Sequence, residues 1–272
     1  MPPLRRTFIR HGKPSLRCYV AAPERRYPYV LNMTKQEQHI RHWNKAAAAY
    51  CSRQDELTSI YQPIVDELLG DVSGKCVLDA GCGGGTYSRK LGSLGAIVTA
   101  IDGSAEMISI AERYPAEPNV EYRVVDITGT LPFPDGHYDL VLANMVLMDI
   151  PRIDLTIREY ARILSDKGSL LFSITHPCFF CSDWVTDEKG QHLHKEISGY
   201  LTPKVEELSF WGKTLHFHRP LSHYFDTLAQ SGFCVDLFKE PVPSEQALKE
   251  HPSWEFHRRV PSFVVIKAIL KD

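Results

Sequence analysis

The residues best suited to chemistry in this chain gather around one glycine-rich turn, Asp79-Ala80-Gly81-Cys82-Gly83-Gly84-Gly85-Thr86. Glycines at this density let backbone N–H groups approach a ligand where a Cβ would clash. A dinucleotide site wants Gly-x-Gly-x-x-Gly. Counting from Gly81, the third position is Thr86, which does not supply the small residue that packs helix on strand. The spacing is instead Asp-x-Gly-x-Gly-x-Gly through Asp79, Gly81, Gly83 and Gly85. A carboxylate just ahead of the glycines suits a cationic ligand better than a pyrophosphate. Two histidines, His176 and His218, carry imidazoles whose pKa near neutrality fits proton transfer. His176 is the first candidate for a proton acceptor and His218 the second, although either also serves simply to cap a strand end or a helix. Cys178-Phe179-Phe180-Cys181, with His192 and His194 nearby, has zinc-ligand residue types. A lone C-x-x-C is thin support for a four-ligand site, so buried thiols are expected there and no metal.

These groups need elements to hold them. A helix is expected from Thr34, carrying Ala46–Ala49, and a second over 57–69. The period then changes. Cys76–Ala80 is a short apolar run stopped by glycines, the pattern of a buried strand. After it come helix 86–94, strand 97–101, helix 104–114, strand 120–125, strand 138–144, helix 153–164 and strand 168–175. Residues 176–219 break the rhythm with aromatics, histidines and turn residues. Helix 220–231 and strands 233–239 and 262–270 close the pattern. Strands alternating with helices imply βαβ units and a parallel sheet. In such a sheet ligands bind beyond the carboxyl ends of the strands, which is where His176 falls. The aromatics Phe179, Phe180, Trp184, Tyr200, Phe210, Trp211 and Phe217 give the 176–219 insertion the means to wall an apolar cavity.

The glycine turn resembles the first motif of the class I S-adenosylmethionine-dependent methyltransferases, and the resemblance continues downstream. Val98-Thr99-Ala100-Ile101-Asp102-Gly103-Ser104 is similar to the family's second motif, which implies that Asp102 holds the ribose hydroxyls beside Gly103. Val124-Val125-Asp126-Ile127 looks like the adenine contact, with Asp126 near the exocyclic amine and Ile127 on the ring. Leu131-Pro132-Phe133-Pro134-Asp135, Tyr138–Val141 and Ala143-Asn144 resemble the fourth-strand motif. The resemblance also implies that Met107 covers the adenine and that Tyr50, within Trp43–Tyr50, helps close over the methionine end. An aromatic ring beside a sulfonium is favourable through cation–π attraction. Met107 as plain core, Asp126 as a turn residue and the Tyr50 helix as mere packing remain open. His176–Phe179 and His218–Pro220 resemble segments of small-molecule methyltransferases. The implied fold is a Rossmann-like, doubly wound α/β sheet of seven strands, mostly parallel with the last antiparallel. A helical cap over 34–70 precedes it within a methyltransferase domain spanning 33–272.

Composition sets the outer bounds. At 272 residues, 43% hydrophobic and 24% charged, the chain has an ordinary globular make-up, which excludes a disordered or fibrous protein. No apolar run approaches the roughly 18 residues of a membrane span. Seven cysteines, an odd number, without a secretory apolar segment predict free thiols and a cytoplasmic setting. Charge is uneven. Residues 1–32 hold seven bases (Arg5, Arg6, Arg10, Lys13, Arg17, Arg25, Arg26), one acid (Glu24) and five prolines. They read as a weakly ordered tail, a transit segment, or sequence ahead of a start at Met33. Of the 31 bases and 33 acids in all, the rest of the chain therefore keeps 24 against 32. That balance argues against nucleic acid, although an RNA methyltransferase stays as the alternative, beside a non-catalytic cofactor-binding scaffold. The expectation is methylation of an O, N or C nucleophile on a small, apolar or aromatic metabolite. A homo-oligomer is left open.

Overall fold

The computed structural model describes residues 33–271 apart from 54, 116 and 181. The tail expected over 1–32 lies outside the described residues. Two helices come first, α1 (Met33–Arg53) and α2 (Asp55–Leu69). Five apolar runs then become parallel strands: β1 (Cys76–Ala80), β2 (Ile97–Asp102), β3 (Val120–Val124), β4 (Tyr138–Asn144) and β5 (Leu164–Thr175). Their helices are α3 (Thr86–Ser93), α4 (Ala105–Ala111) and α5 (Ile153–Ile163). Alternate residues of one strand feed opposite layers, as the two-residue period of a strand requires. Leu140 and Leu142 of β4 pack in one core cluster with Ile60, Val65 and Leu69 of α2 and Leu91 of α3. Val141 and Ala143 pack in the other with Ile153, Ile157 and Tyr160 of α5. A sheet covered on both faces can be this apolar because neither face meets water.

Two hairpins fill the insertion, β6 (Asp183–Thr186) with β7 (His192–Glu196) and β8 (Lys204–Leu208) with β9 (Thr214–His218). The chain returns through α6 (Leu221–Gln230), β10 (Phe233–Lys239), a short α7 (Glu245–Glu250) and β11 (Phe263–Leu270). The seven strands of the main sheet run in the order β10-β11-β5-β4-β1-β2-β3. β11 is antiparallel to both neighbours, and β5-β4-β1-β2-β3 are parallel. The seven-stranded doubly wound sheet with its reversed last strand is therefore present. From β1 the chain winds one way to β2 and β3, then the other way to β4 and β5. The switch point lies between β1 and β4, where such sheets open a crevice.

The structure departs from the periodicity in three places. The hairpins of the insertion were invisible to it, because β6, β7 and β8 bury no residue and the buried positions of β9 are mostly polar, Thr214, His216 and His218 beside Phe217. α7, capped by Ser244, buries only Ala247 and so shows no apolar stripe. β5 begins at Leu164 instead of 168: Lys167 takes φ 63 and the register against β4 shifts between Tyr138 and Leu140, so a bulge lets the strand start early. No helix among the described residues is long and apolar enough to cross a membrane.

Candidate active site

A cavity opens beyond the carboxyl ends of β1, β2 and β4. Its floor is the glycine turn. Gly81 and Cys82 donate their N–H groups to the Ile101 carbonyl at 2.7 and 2.9 Å, which ties the turn to β2. Gly81 has φ 76, and a Cβ there would run into the Val146 side chain. Only glycine meets both demands. Gly85, with φ 77, caps α3; a Cβ on it would meet the Tyr122 hydroxyl, and Gly85 does not line the cavity. Its part is to turn the chain into the helix rather than to touch a ligand.

Acids stand around this floor. Asp102 ends β2 and accepts hydrogen bonds from the Gly83 N–H at 3.0 Å and the Ser104 N–H at 2.8 Å. It thereby locks the glycine turn to the start of α4, whose first turn Ser104 caps by accepting from the Met107 N–H. Asp79, buried at the end of β1, accepts from the Ser88 hydroxyl at 2.6 Å. Asp126 accepts from the N–H and hydroxyl of Thr128 at 2.9 and 2.7 Å. Burial pushes the Asp79 carboxyl up to about 7, against the pull of the Ser88 hydroxyl and with the nearby Asp102 charge adding to the rise. Burial likewise lifts Asp102 to about 6, opposed by its two backbone donors. Acids raised in this way ask for a positive ligand. No Lys or Arg lines the cavity among the described residues, so no side-chain cation there would offset the charge of a pyrophosphate. The fit is to a ligand that brings sulfonium or ammonium charge.

The other walls come from α1 and from the segment after β4. Tyr50 lies against the ring edges of Trp43 and Trp211, with centroids 5.4 and 5.5 Å away. Burial, helped by neighbouring Tyr61 and Asp149, keeps its hydroxyl protonated. Asn144 ends β4 and accepts from the Ser173 hydroxyl at 2.5 Å. Next to it Met145 takes φ 56, a strained conformation for a side-chain-bearing residue. Beyond lies a short 3-10 turn, Leu147–Asp149, that brings Asp149 and Ile150 to the cavity wall. The fully buried Arg219 holds this turn: its guanidinium donates to the carbonyls of Leu147 at 3.3 Å, Phe217 at 3.1 Å, Pro151 at 2.9 Å, and Ile150.

Most of the residues singled out from the sequence converge here: Tyr50, Asp79, Gly81, Gly83, Asp102, Gly103, Met107, Asp126, Ile127 and Asn144 all line the cavity. The two histidines do not. His176 is buried, with its Nε2 2.9 Å from Glu240 and its Nδ1 accepting from the Cys178 N–H. His218 donates from Nε2 to the Tyr200 carbonyl at 2.8 Å and lines a separate, smaller cavity with Tyr200 and Lys204. His176 ties the start of the insertion to the end of β10, and His218 ties the end of β9 to Tyr200 within the insertion. The insertion's aromatics reach the site only at its edge, Trp211 against Tyr50. Cys181 lies outside the described residues, and His192 packs between Trp184 and Phe256. Asp149, Val146, Ile150, His39 and Ile40 were missed. The available signal was their place just after an apolar strand or on the helix before the fold, and that signal names no particular residue.

The comparisons agree with this geometry. Residues 78–172 match the family model described as a methyltransferase domain. A solved chain from Listeria monocytogenes, assigned as an S-adenosylmethionine-dependent methyltransferase, is 30% identical, with TM-score 0.71 over 79% of this chain and 98% of that one. An S-adenosylmethionine-dependent methyltransferase of Mesorhizobium loti shares the fold at 24% identity and TM-score 0.71, covering 77% of this chain and 97% of its own. The ubiquinone biosynthesis O-methyltransferase of Xanthomonas oryzae pv. oryzae is 33% identical over 152 residues, 52% of this chain. The match spans 62% of that relative's length. The fold and site are those of a class I methyltransferase. The chain belongs to the S-adenosylmethionine-dependent methyltransferases, with S-adenosyl-L-methionine as cofactor.

Proposed function

We propose that the protein transfers a methyl group from S-adenosylmethionine to an oxygen of a small aromatic or apolar metabolite. When bound, the cofactor supplies an electrophilic methyl on a sulfonium. The observation that carries the reading is the acid-lined cavity at the switch point, with no Lys or Arg in its lining among the described residues, continued toward Trp43, Met145 and Ile150 by an apolar wall. On this reading Asp79, Gly81 and Gly83 hold the methionine end with Tyr50 and Asn144. Asp102 and Gly103 hold the ribose, and Met107, Asp126 and Ile127 the adenine. Oxygen is favoured over nitrogen or carbon by the O-methyltransferase relative. An RNA acceptor is disfavoured, since a phosphate backbone wants cationic side chains around the entrance. The protein's work is to hold acceptor and methyl at near-attack distance and exclude water. The helices of residues 34–70 and the 176–219 insertion supply the cover, a role supported by the Trp211–Tyr50 contact at 5.5 Å. A cytoplasmic setting is supported by the free thiols of Cys51, Cys76, Cys82, Cys178 and Cys234.

The test is incubation with methyl-labelled S-adenosylmethionine and a panel of hydroxylated aromatic compounds, read by mass spectrometry. We expect label on the hydroxyl of at least one compound, together with S-adenosylhomocysteine. Label on RNA alone, or none on any compound despite cofactor binding, would overturn the reading.

A further inference from the structure

We propose that the carboxylate of Asp149 takes the proton of the acceptor's hydroxyl group. The inference rests on the O-methylation reading above and names the residue that completes it.

Position is the first argument. Along the sheet, the acids at the cavity follow the strand order: Asp149 beyond β4, Asp79 at β1, Asp102 at β2 and Asp126 past β3. Neighbouring strands are roughly 4.8 Å apart, so these carboxylates span about three strand spacings. The last three occupy the stretch assigned to the cofactor from methionine end to adenine. Asp149 lies one strand beyond the methionine end, on the side where the acceptor must approach.

Hydrogen bonding is the second argument. The other three acids already accept from protein donors: Asp79 from Ser88, Asp102 from Gly83 and Ser104, Asp126 from Thr128. Among the described residues no donor lies within hydrogen-bond distance of the Asp149 carboxylate, though its side chain is only 14% exposed and lines the cavity. The half-buried carboxylate is thus open on its cavity side to a donor that a ligand brings.

The groups facing it leave the proton for the ligand to supply. On β9, His216 has its Nδ1 3.9 Å away, too far for a hydrogen bond. Burial lowers that imidazole to about 4, so it is neutral and not an ion-pair partner. Arg219, between β9 and α6, donates to backbone carbonyls and acts on Asp149 through its charge. Tyr50 of α1 and Tyr224 of α6 are phenols held protonated by burial. Burial raises the Asp149 carboxyl well above the ordinary value, with the Arg219 charge as the opposing pull. The balance is simple. The acceptor O–H bond breaks and its electron pair becomes the new O–C bond. The pair of the old S–C bond stays on sulfur, and the proton rests on Asp149 before passing to solvent.

The test uses Asp149→Asn and Asp149→Glu in the full chain, with phenol and 4-nitrophenol as acceptors of different acidity. Calorimetry with S-adenosylhomocysteine provides the readout independent of turnover. We expect Asp149→Asn to bind S-adenosylhomocysteine within about twofold of the unaltered protein. It should lose about 10²-fold or more in kcat on phenol and less than tenfold on 4-nitrophenol, which needs little help in losing its proton. Asp149→Glu should recover part of the loss. Equal losses on both phenols would mean that Asp149 shapes the site without taking a proton. A tenfold fall in S-adenosylhomocysteine affinity would assign it to the cofactor, and full turnover in Asp149→Asn would remove it from the reaction; each of these overturns the inference. If the unaltered protein methylates neither phenol while still binding S-adenosylhomocysteine, the phenolic acceptor reading itself fails and the inference with it.

Discussion

Arg219→Met is the most searching perturbation of this structure, because it removes one buried side chain that joins two distant segments. Arg219 is 1% exposed, and its guanidinium serves carbonyls of Leu147, Ile150 and Pro151 on the turn after β4 and of Phe217 in β9. Methionine fills a similar volume but leaves these acceptors without their donor. Each unsatisfied buried carbonyl costs about 1–3 kcal/mol, and part of the turn will relax toward water. A net loss of about 3–5 kcal/mol is therefore expected, the scale seen when a buried charged group is lost from its partners. For a domain of this size that corresponds to a fall in melting temperature of about 6–20 °C. Differential scanning calorimetry measures it directly. The same variant should keep S-adenosylhomocysteine affinity within a few-fold, since the glycine turn and Asp102 are untouched, yet lose turnover because Asp149 is no longer held. Arg219→Lys, with one compact charge and three donors in place of the planar fork, should fall between the two. A drop below about 2 °C in Arg219→Met would refute the clamp.

The raised acids predict a pH dependence with a definite sign. Asp79 and Asp102 hold protons up to about 7 and about 6 in the folded state, against 3.8 for the ordinary carboxyl. The unfolded chain therefore loses those protons first, and stability of the ligand-free protein should fall as pH rises from about 4 to about 7. Affinity for S-adenosylmethionine should climb over the same window, by up to about tenfold per pH unit for each proton released; a flat calorimetric profile from about pH 5 to about pH 7.5 contradicts this. At the floor of the cavity, Gly81→Ala combines a left-handed conformation with an overlap against Val146, so it should weaken cofactor binding at least tenfold. Gly136→Ala has φ 65 but open space around it, and should cost only the roughly 1–2 kcal/mol of backbone strain. Equal effects of the two on S-adenosylhomocysteine binding would show that the close approach at Gly81 is irrelevant.

The cofactor half of the site was legible in the amino-acid order because its residues are local to strand ends. A strand that stops at Asp79 or Asp102 before glycines places those carboxylates by backbone geometry alone, and the motif spacing follows from the βαβ repeat. Most of the strands were legible as apolar runs, whereas the seven-stranded sheet came from the family resemblance and its order from the structure. The proton-handling half was not. His176 and His218 have the right chemistry, but imidazole type says nothing about direction, and tertiary packing turned one toward Glu240 after β10 and the other toward the Tyr200 carbonyl. Asp149 gave no signal because its place depends on a 3-10 turn held by Arg219, some 70 residues later in the chain. The hairpins of 183–218 were hidden too, since β6, β7 and β8 bury no residue and three of the four buried positions of β9 are polar. Local backbone chemistry thus determined which strand-end residues line the cavity. Which acid faces the acceptor was decided only when a buried guanidinium joined two segments that sequence proximity could never have paired.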